Sequence, residues 1–333
     1  MNLPRISSVY PLRAIEGGCI TVEGEQLVSE NSAMSPLPAV TIGAIPARIV
    51  FASQNILRVV VPSGLEGGRT AIRVGDGVGE TAYVEIGCTV ATGLHQVDSP
   101  AFDDRGNLYG TYSGTRGERS AVSVFRILSN GYRQPFVTGI TNATSMAFSP
   151  EGQLYVSSRL EGCVYSVSSD GSFEVFVSEL GVACGIAFSD DGTMYVGDRS
   201  GTIFRVSSSG DATVFATLPA SIAAFHLAFG GDGHLFASVP TLSSCDCVFR
   251  IDQAGVVDSL KSNFGRPQGL AFDRHGVLHV VEALAGNSGV YQLDLDGHRT
   301  RILAGPNLVG VAFNRKGDLA VASSEAIFRF AST

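Results

Sequence analysis

The sequence predicts an all-β chain in which a six-bladed β-propeller follows a small N-terminal β-sandwich. Two repeated signatures and a missing periodicity carry that expectation. The first signature is a short apolar run, a glycine turn and a second short run. It reads Ser99-Pro-Ala-Phe102 with Gly106-Asn-Leu-Tyr109, then Ser145-Met-Ala-Phe148 with Gly152-Gln-Leu-Tyr155. It returns at Gly185–Phe188, His226–Phe229, Gly269–Phe272 and Gly310–Phe313. The turn glycines Gly106, Gly152, Gly192, Gly233, Gly276 and Gly317 stand 46, 40, 41, 43 and 41 residues apart, the period of four-stranded propeller blades. The second signature, an aliphatic–aromatic pair, follows in each unit at Val124-Phe125, Val164-Tyr165, Ile203-Phe204, Val248-Phe249, Val290-Tyr291 and Ile327-Phe328. A hairpin followed by further β-rich runs completes each unit, and no stretch of ten residues sustains a helical period.

Taken in order, residues 1–87 carry no copy of the repeat. Strand-like alternation falls at Cys19–Val22, Val40–Ile42, Arg48–Phe51, Leu57–Val61 and Tyr83–Ile86, with Gly and Pro between, and Ser29–Pro38 reads as a loop. Strands at such spacing in about 85 residues predict a β-sandwich. Gly75-Asp-Gly-Val-Gly79 reads as the turn of a hairpin rather than a phosphate loop. The propeller is expected over 88–333. Its sixth unit has three strands of its own, and Thr89–Thr92, which resembles the outer strand before the second unit, is expected to supply the fourth and so leave no open sheet edge.

Composition removes several function classes. The formal charge is −8, and no block of five or six like charges occurs, so nucleic acid is not an expected partner. No apolar run is long enough for a membrane-spanning helix, so membrane insertion is not expected either. With no apolar export segment at its start the chain reads as cytoplasmic, with reduced thiols on its six cysteines; a trimmed signal would make it exported. The sequence has no Gly-x-Ser-x-Gly, His-Glu-x-x-His or Walker-type motif.

The chain's phase sets which residues share the propeller mouth. Loops from outer strand to next inner strand, and from second to third strand, are expected on one face. They place Asp98, Thr144, Cys184, His226 and Gln268 around a common pocket, with Arg159, Asp198, Arg199 and Glu282 near it, and Arg116 and His95 at its margin. Asp103, Asp191 and Asp273 fall on the opposite face, as ordinary turn residues. Asp98 and His226 are the candidate acid/base groups, each weighed against a purely hydrogen-bonded role. Asp198 fits a hairpin turn better than a ligand role. Cys245-Asp-Cys247 with Cys184 and His226 offers four N/S ligands for zinc, but the spacing favours packing cysteines instead.

Two resemblances add to this reading. Pro4-Arg-Ile…Tyr10-Pro11, Gly17-Gly18…Thr21-Val-Glu-Gly24, Val40-Thr-Ile-Gly43 and Gly67–Val74 resemble IPT/TIG domains, immunoglobulin-like modules that serve as packing or adhesion units. Residues 88–333 resemble the six-bladed superfamily of NHL repeats, strictosidine-synthase-like proteins and the regucalcin/gluconolactonase family. In the gluconolactonase branch, residues heading the inner strands ring a divalent metal. The equivalent positions here are Asp98, Thr144, Cys184, Phe225, Gln268 and Val309, of which Asp98 fits the family's acidic first ligand. One carboxylate implies at most a weak, optional metal, calcium by preference. The resemblance implies a small-molecule pocket at the mouth and three alternatives for its use. These are lactone or ester hydrolysis with weak metal assistance, non-catalytic ligand or protein binding, and metal-free acid/base chemistry with Glu282 as the carboxylate. A protein partner, through the propeller face or the N-terminal module, fits the second.

Overall fold

In the computed structural model, residues 4–28, 37–75, 81–284 and 286–332 are described; the loop expected at Ser29–Pro38 and the turn at Gly75–Gly79 lie largely outside them. Every regular element among these residues is a strand, and no helix is long and apolar enough to cross a membrane. The chain divides into two compact units. One comprises Met1–Thr89, Ala285–Tyr291 and Arg301–Pro306, the other Val90–Leu284, Gln292–Thr300 and Asn307–Thr333.

The first unit is a sandwich. One sheet runs in the order Arg5–Tyr10, Cys19–Glu25, Ile56–Val60, Arg48–Ala52. The facing strands are Ala82–Ile86, Gly68–Val74, Val40–Ile42 and Ile45–Pro46, and Ile20, Val22, Leu57 and Val59 bury against Ile42, Ile72 and Val84. Arg13–Ala14 pairs in parallel with Glu85–Ile86 on one side and Leu303–Ala304 on the other. Alternation alone missed the strand Arg5–Tyr10. A register shift between Ile6 and Ser8 puts its buried residues, Ile6 and Val9, three apart instead of two.

Four of the propeller's sheets hold four strands in chain order, and the fifth blade's strands belong to a nine-stranded sheet. The first is Ala101–Phe102, Leu108–Thr111, Val124–Ile127 and Arg133–Val137, and the second is Ala143–Phe148, Leu154–Ser158, Cys163–Val167 and Phe173–Val177. The third is Ala183–Phe188, Met194–Asp198, Thr202–Val206 and Ala212–Thr217, and the fourth begins at His226–Phe229. The fifth begins at Pro267–Phe272; the sixth contains Leu308–Phe313, Leu319–Ser323 and Ala326–Phe330 and takes its outer strand from Cys88–Thr92. Leu94 N and Gln96 N then donate to Glu325 O and Ser324 O, at 3.0 and 2.9 Å.

The repeated aromatics explain the signature. Tyr109 packs edge-on against Phe136 of its own blade and Phe148 of the next, with centroids 5.3 and 5.2 Å away. Tyr155 meets Phe176 edge-on and Phe188 at a tilt, and Tyr195 meets Phe215 edge-on and stacks on Phe229. Phe236 meets Phe272, and His279 meets Phe313. The contacts with Phe148, Phe188, Phe229, Phe272 and Phe313 tie one blade to the next near the turns opposite the mouth.

Toward the mouth the inner strands converge and side chains must shrink. A Cβ on Gly185 would lie 2.4 Å from Phe225 O, and one on Gly310 would lie 2.3 Å from Ser99 Cα. Gly185→Ala should therefore lower stability by about 2–3 kcal/mol through overpacking of backbone on backbone. Gly231→Ala, with no atom within 4 Å of its Cβ, should stay within about 0.5 kcal/mol of the parent. Chemical-denaturation midpoints of the two variants check this; equal effects would remove the close-approach explanation.

Candidate functional site

Register shifts near the starts of the inner strands Ala143–Phe148, Ala183–Phe188, Pro267–Phe272 and Leu308–Phe313 turn their first residues toward the axis. A cavity of about 330 Å³ opens there. Thr144, Cys184, Gln268 and Val309 from the strand starts line it, with Arg159, Arg199 and Ser324 from second-to-third-strand loops. The wall is completed by His95–Val97, Val182 and Ile222–Ala224 from the loops that enter the inner strands. Sequence reasoning missed Val97, Val182 and Ile222–Ala224. The Ile222–Ala224 segment belongs to no repeat signature, so no pattern marked it.

Five of the expected site residues meet at the cavity: Thr144, Arg159, Cys184, Arg199 and Gln268. Asp98 and His226, expected beside them, sit one layer behind. The Asp98 carboxylate accepts from Ser99 N at 2.6 Å and lies 2.6 Å from His226 Nδ1, while His226 Nε2 is 3.2 Å from Gln268 Oε1. His226 is 1% exposed. The close Nδ1–carboxylate contact requires a proton between the two, so Nδ1 donates to Asp98. The opposite ring nitrogen holds the Gln268 amide oxygen by a hydrogen bond when Nε2 also carries a proton, and Gln268 is itself a cavity-lining group. Asp98 Oδ1 and both ring nitrogens of His226 are engaged within the chain, which places this pair behind Gln268.

Asp198, in keeping with its turn reading, and Glu282, against the expectation of a pocket carboxylate, both leave the cavity wall for one reason. Each ends a second strand and turns back to cap the loop entering its own blade. Asp198 Oδ1 accepts from Val182 N at 2.8 Å and Oδ2 from the Ser200 hydroxyl. Glu282 accepts from Gly265 N, Arg266 N and Leu284 N at 2.6, 2.9 and 2.8 Å, and is 1% exposed. Satisfying backbone amides in this way holds the mouth loops but removes both carboxylates from the cavity wall. Asp103, Asp191 and Asp273 accept from turn amides, as expected.

Positive charge, by contrast, is uncompensated. Among the described residues neither Arg159, Arg199 nor Arg116 makes an ion pair, although Arg199 Nε donates to Ser221 O at 3.2 Å. Burial holds the Arg159 guanidinium below its ordinary pKa, and the positive charges of Arg199 and Arg116 add to that depression. Burial pushes the Cys184 thiol up to about 11, with the Asp98 carboxylate acting in the same direction, so at neutral pH it is a neutral thiol.

The positions implied to ring a metal do not fit one. Asp98 Oδ1 is engaged by Ser99 N and His226 and the residue is absent from the cavity lining, and the Thr144 hydroxyl donates to Asn142 O at 2.8 Å. Phe225 is fully buried in the core between blades, its ring against Gly197, and Val309 offers no donor atom. A hard divalent ion needs six to eight oxygens, several of them charged. The zinc set does not assemble either. Among the described residues, the group of potential ligands close enough to share an ion is Asp294, Asp296 and His298, all exposed and none of them at the mouth.

Fold and site together define a two-part β-protein: an immunoglobulin-like module and a six-bladed propeller with a cationic, apolar-walled mouth. Residues 4–85 match the IPT/TIG domain family. No curated protein matches the chain. Among solved structures, an auxiliary nutrient binding protein from Bacteroides ovatus is 14% identical, with a TM-score of 0.57 over 100% of this chain and 99% of that one. A structure described as that of a gluconolactonase is 16% identical, with a TM-score of 0.59 over 72% and 90%. Virginiamycin B lyase from Staphylococcus aureus is 13% identical, with a TM-score of 0.53 over 89% and 95%. Such identities establish a shared fold.

Two outcomes follow from this geometry. Asp98→Ala, which strands buried His226 Nδ1 and Ser99 N, should lower stability by about 3 kcal/mol in chemical denaturation, whereas a solvated Asp98 would lose almost nothing. In peptide mapping after iodoacetamide at pH 8, exposed Cys88 and Cys245 should be alkylated while Cys184 stays unmodified. Fast labelling of Cys184 would contradict its raised pKa.

Proposed function

We propose that the propeller mouth is a metal-independent binding site for a small organic molecule, with the IPT/TIG module as a non-catalytic companion. The observation that carries this reading is the cavity lining itself, which brings together two guanidiniums, one oriented amide and apolar walls, and no carboxylate. Binding sites of this type are mostly apolar with a few fixed polar groups, and the volume lies at the small end of their range. The likeness to a nutrient-binding protein agrees with binding, and the likeness to structures described as a gluconolactonase and a lyase agrees with a small-molecule ligand.

Geometry supports binding ahead of lactone or ester hydrolysis. A hydrolytic centre needs a base or nucleophile within reach of the reacting atom. Asp98 Oδ1, His226 and Glu282 are engaged inside the chain and Cys184 is a neutral thiol; His95 is on the cavity wall, but among the described residues no hydrogen bond joins its ring to a hydroxyl or thiol that it would activate. Any calcium affinity is expected to be millimolar.

The test is thermal melting against a mixed panel of sugars, lactones, amines and organic acids, with Ala224→Trp as the blocked variant. At least one compound should raise the melting temperature of the parent by mass action and not that of the variant. Calcium up to about 100 μM should leave the melt unchanged, whereas micromolar calcium binding by calorimetry would restore the metal-centred reading. A panel with no effect on the parent would remove the mouth as a binding site.

A further inference from the structure

The mouth's two kinds of surface narrow the ligand further. Arg159 and Arg199 line the cavity from neighbouring loops of blades 2 and 3, with Arg116 close enough to raise the positive potential at Arg159. Two guanidiniums without an ion pair line a partly desolvated cleft, with exposed Arg116 adding to the positive potential, an arrangement that an oxyanion would relieve by paired N–H donation. Six of the twelve other lining residues are aliphatic: Val97, Val182, Ile222, Ala223, Ala224 and Val309. Two of these, Val182 and Ile222, are 36% and 39% exposed at the rim. Large apolar side chains left open beside a cationic cleft suit a ligand with an apolar body behind its charge. A neutral sugar would leave both surfaces unanswered, since its hydroxyls neutralise no guanidinium and its faces cover little aliphatic wall.

We infer that the mouth takes an amphipathic organic oxyanion, a carboxylate or phosphate monoester whose head pairs with Arg159 and Arg199 and whose apolar body lies against Val182, Ile222 and Val309. Gln268, held by His226, gives the floor one fixed polar contact for a group next to the head. This inference rests on the mouth being a small-molecule site and specifies the chemistry of what enters it.

Calorimetric titration with four probes separates the contributions: octanoate, octyl phosphate, neutral octanamide and acetate. Octanoate or octyl phosphate should bind at least tenfold more tightly than octanamide and than acetate, and whichever of the two anions binds more tightly identifies the head group. Arg159→Gln and Arg199→Gln should each weaken that anion at least fivefold while leaving octanamide within twofold, and Arg199→Lys should restore part of the loss. Ile222→Ser should weaken the anion and octanamide alike. Arg199 is exposed, so its variants keep the measurement open should Arg159→Gln lower the melting temperature. Equal affinity for octanoate, octyl phosphate and octanamide, or anion binding indifferent to both arginine variants, overturns the inference. If sugars or lactones bind at the mouth while these anions do not, the inference fails and the binding site stands. If no compound of any class binds, both fail.

Discussion

The structure depends on how closely adjacent blades approach one another at their inner strands. Near the mouth that approach is backbone to backbone, which is why glycine stands at 185, 269 and 310 and serine at 99 and 145. At the opposite ends of the same strands the blades splay, and the gap is filled by Tyr–Phe contacts from Tyr109 to Tyr195. Small residues at one end and aromatics at the other make each blade a wedge, and wedges close into a ring. The motif that repeats along the chain is the imprint of that taper.

The same convergence creates the site. Strand starts drawn toward one axis bring side chains from several blades to a single cavity without any helix or long insertion. Because the strand starts are crowded, charge reaches the cavity from the loops, on the long stems of Arg159 and Arg199. Carboxylates at the ends of second strands are short enough to turn inward and cap backbone amides, as Asp198 and Glu282 do. An acidic chain thus presents a cationic mouth, because its acids near the mouth are used for architecture.

The legibility of the sequence followed the physics of repetition. Strand order, turn glycines and the face to which each loop belongs recur in six copies, so phase alone brought Thr144, Arg159, Cys184, Arg199 and Gln268 to one place. What did not repeat could not be read. The contact of Asp98 with His226 joins positions 128 residues apart, and only coordinates reveal that the two satisfy each other instead of facing the cavity. Ile222–Ala224 belong to an irregular loop with no periodic signal. The strand Arg5–Tyr10 was hidden by one shifted residue, which moved Val9 off an even spacing from Ile6.

The sixth blade has a consequence for the order of assembly. Its outer strand, Cys88–Thr92, precedes the first blade in the chain, while its partner Ala326–Phe330 follows the other five. On a ribosome, the first five blades emerge with their neighbours already made, but Cys88–Thr92 must wait for nearly all the remaining chain. Joining ends so distant carries the highest loop-closure entropy of any pairing in the ring, in a topology that already folds slowly. Until it happens, Val90 and Ala91 present an unmatched strand to any other nascent copy. The interval before ring closure is therefore the one in which this chain is most exposed to domain exchange and aggregation.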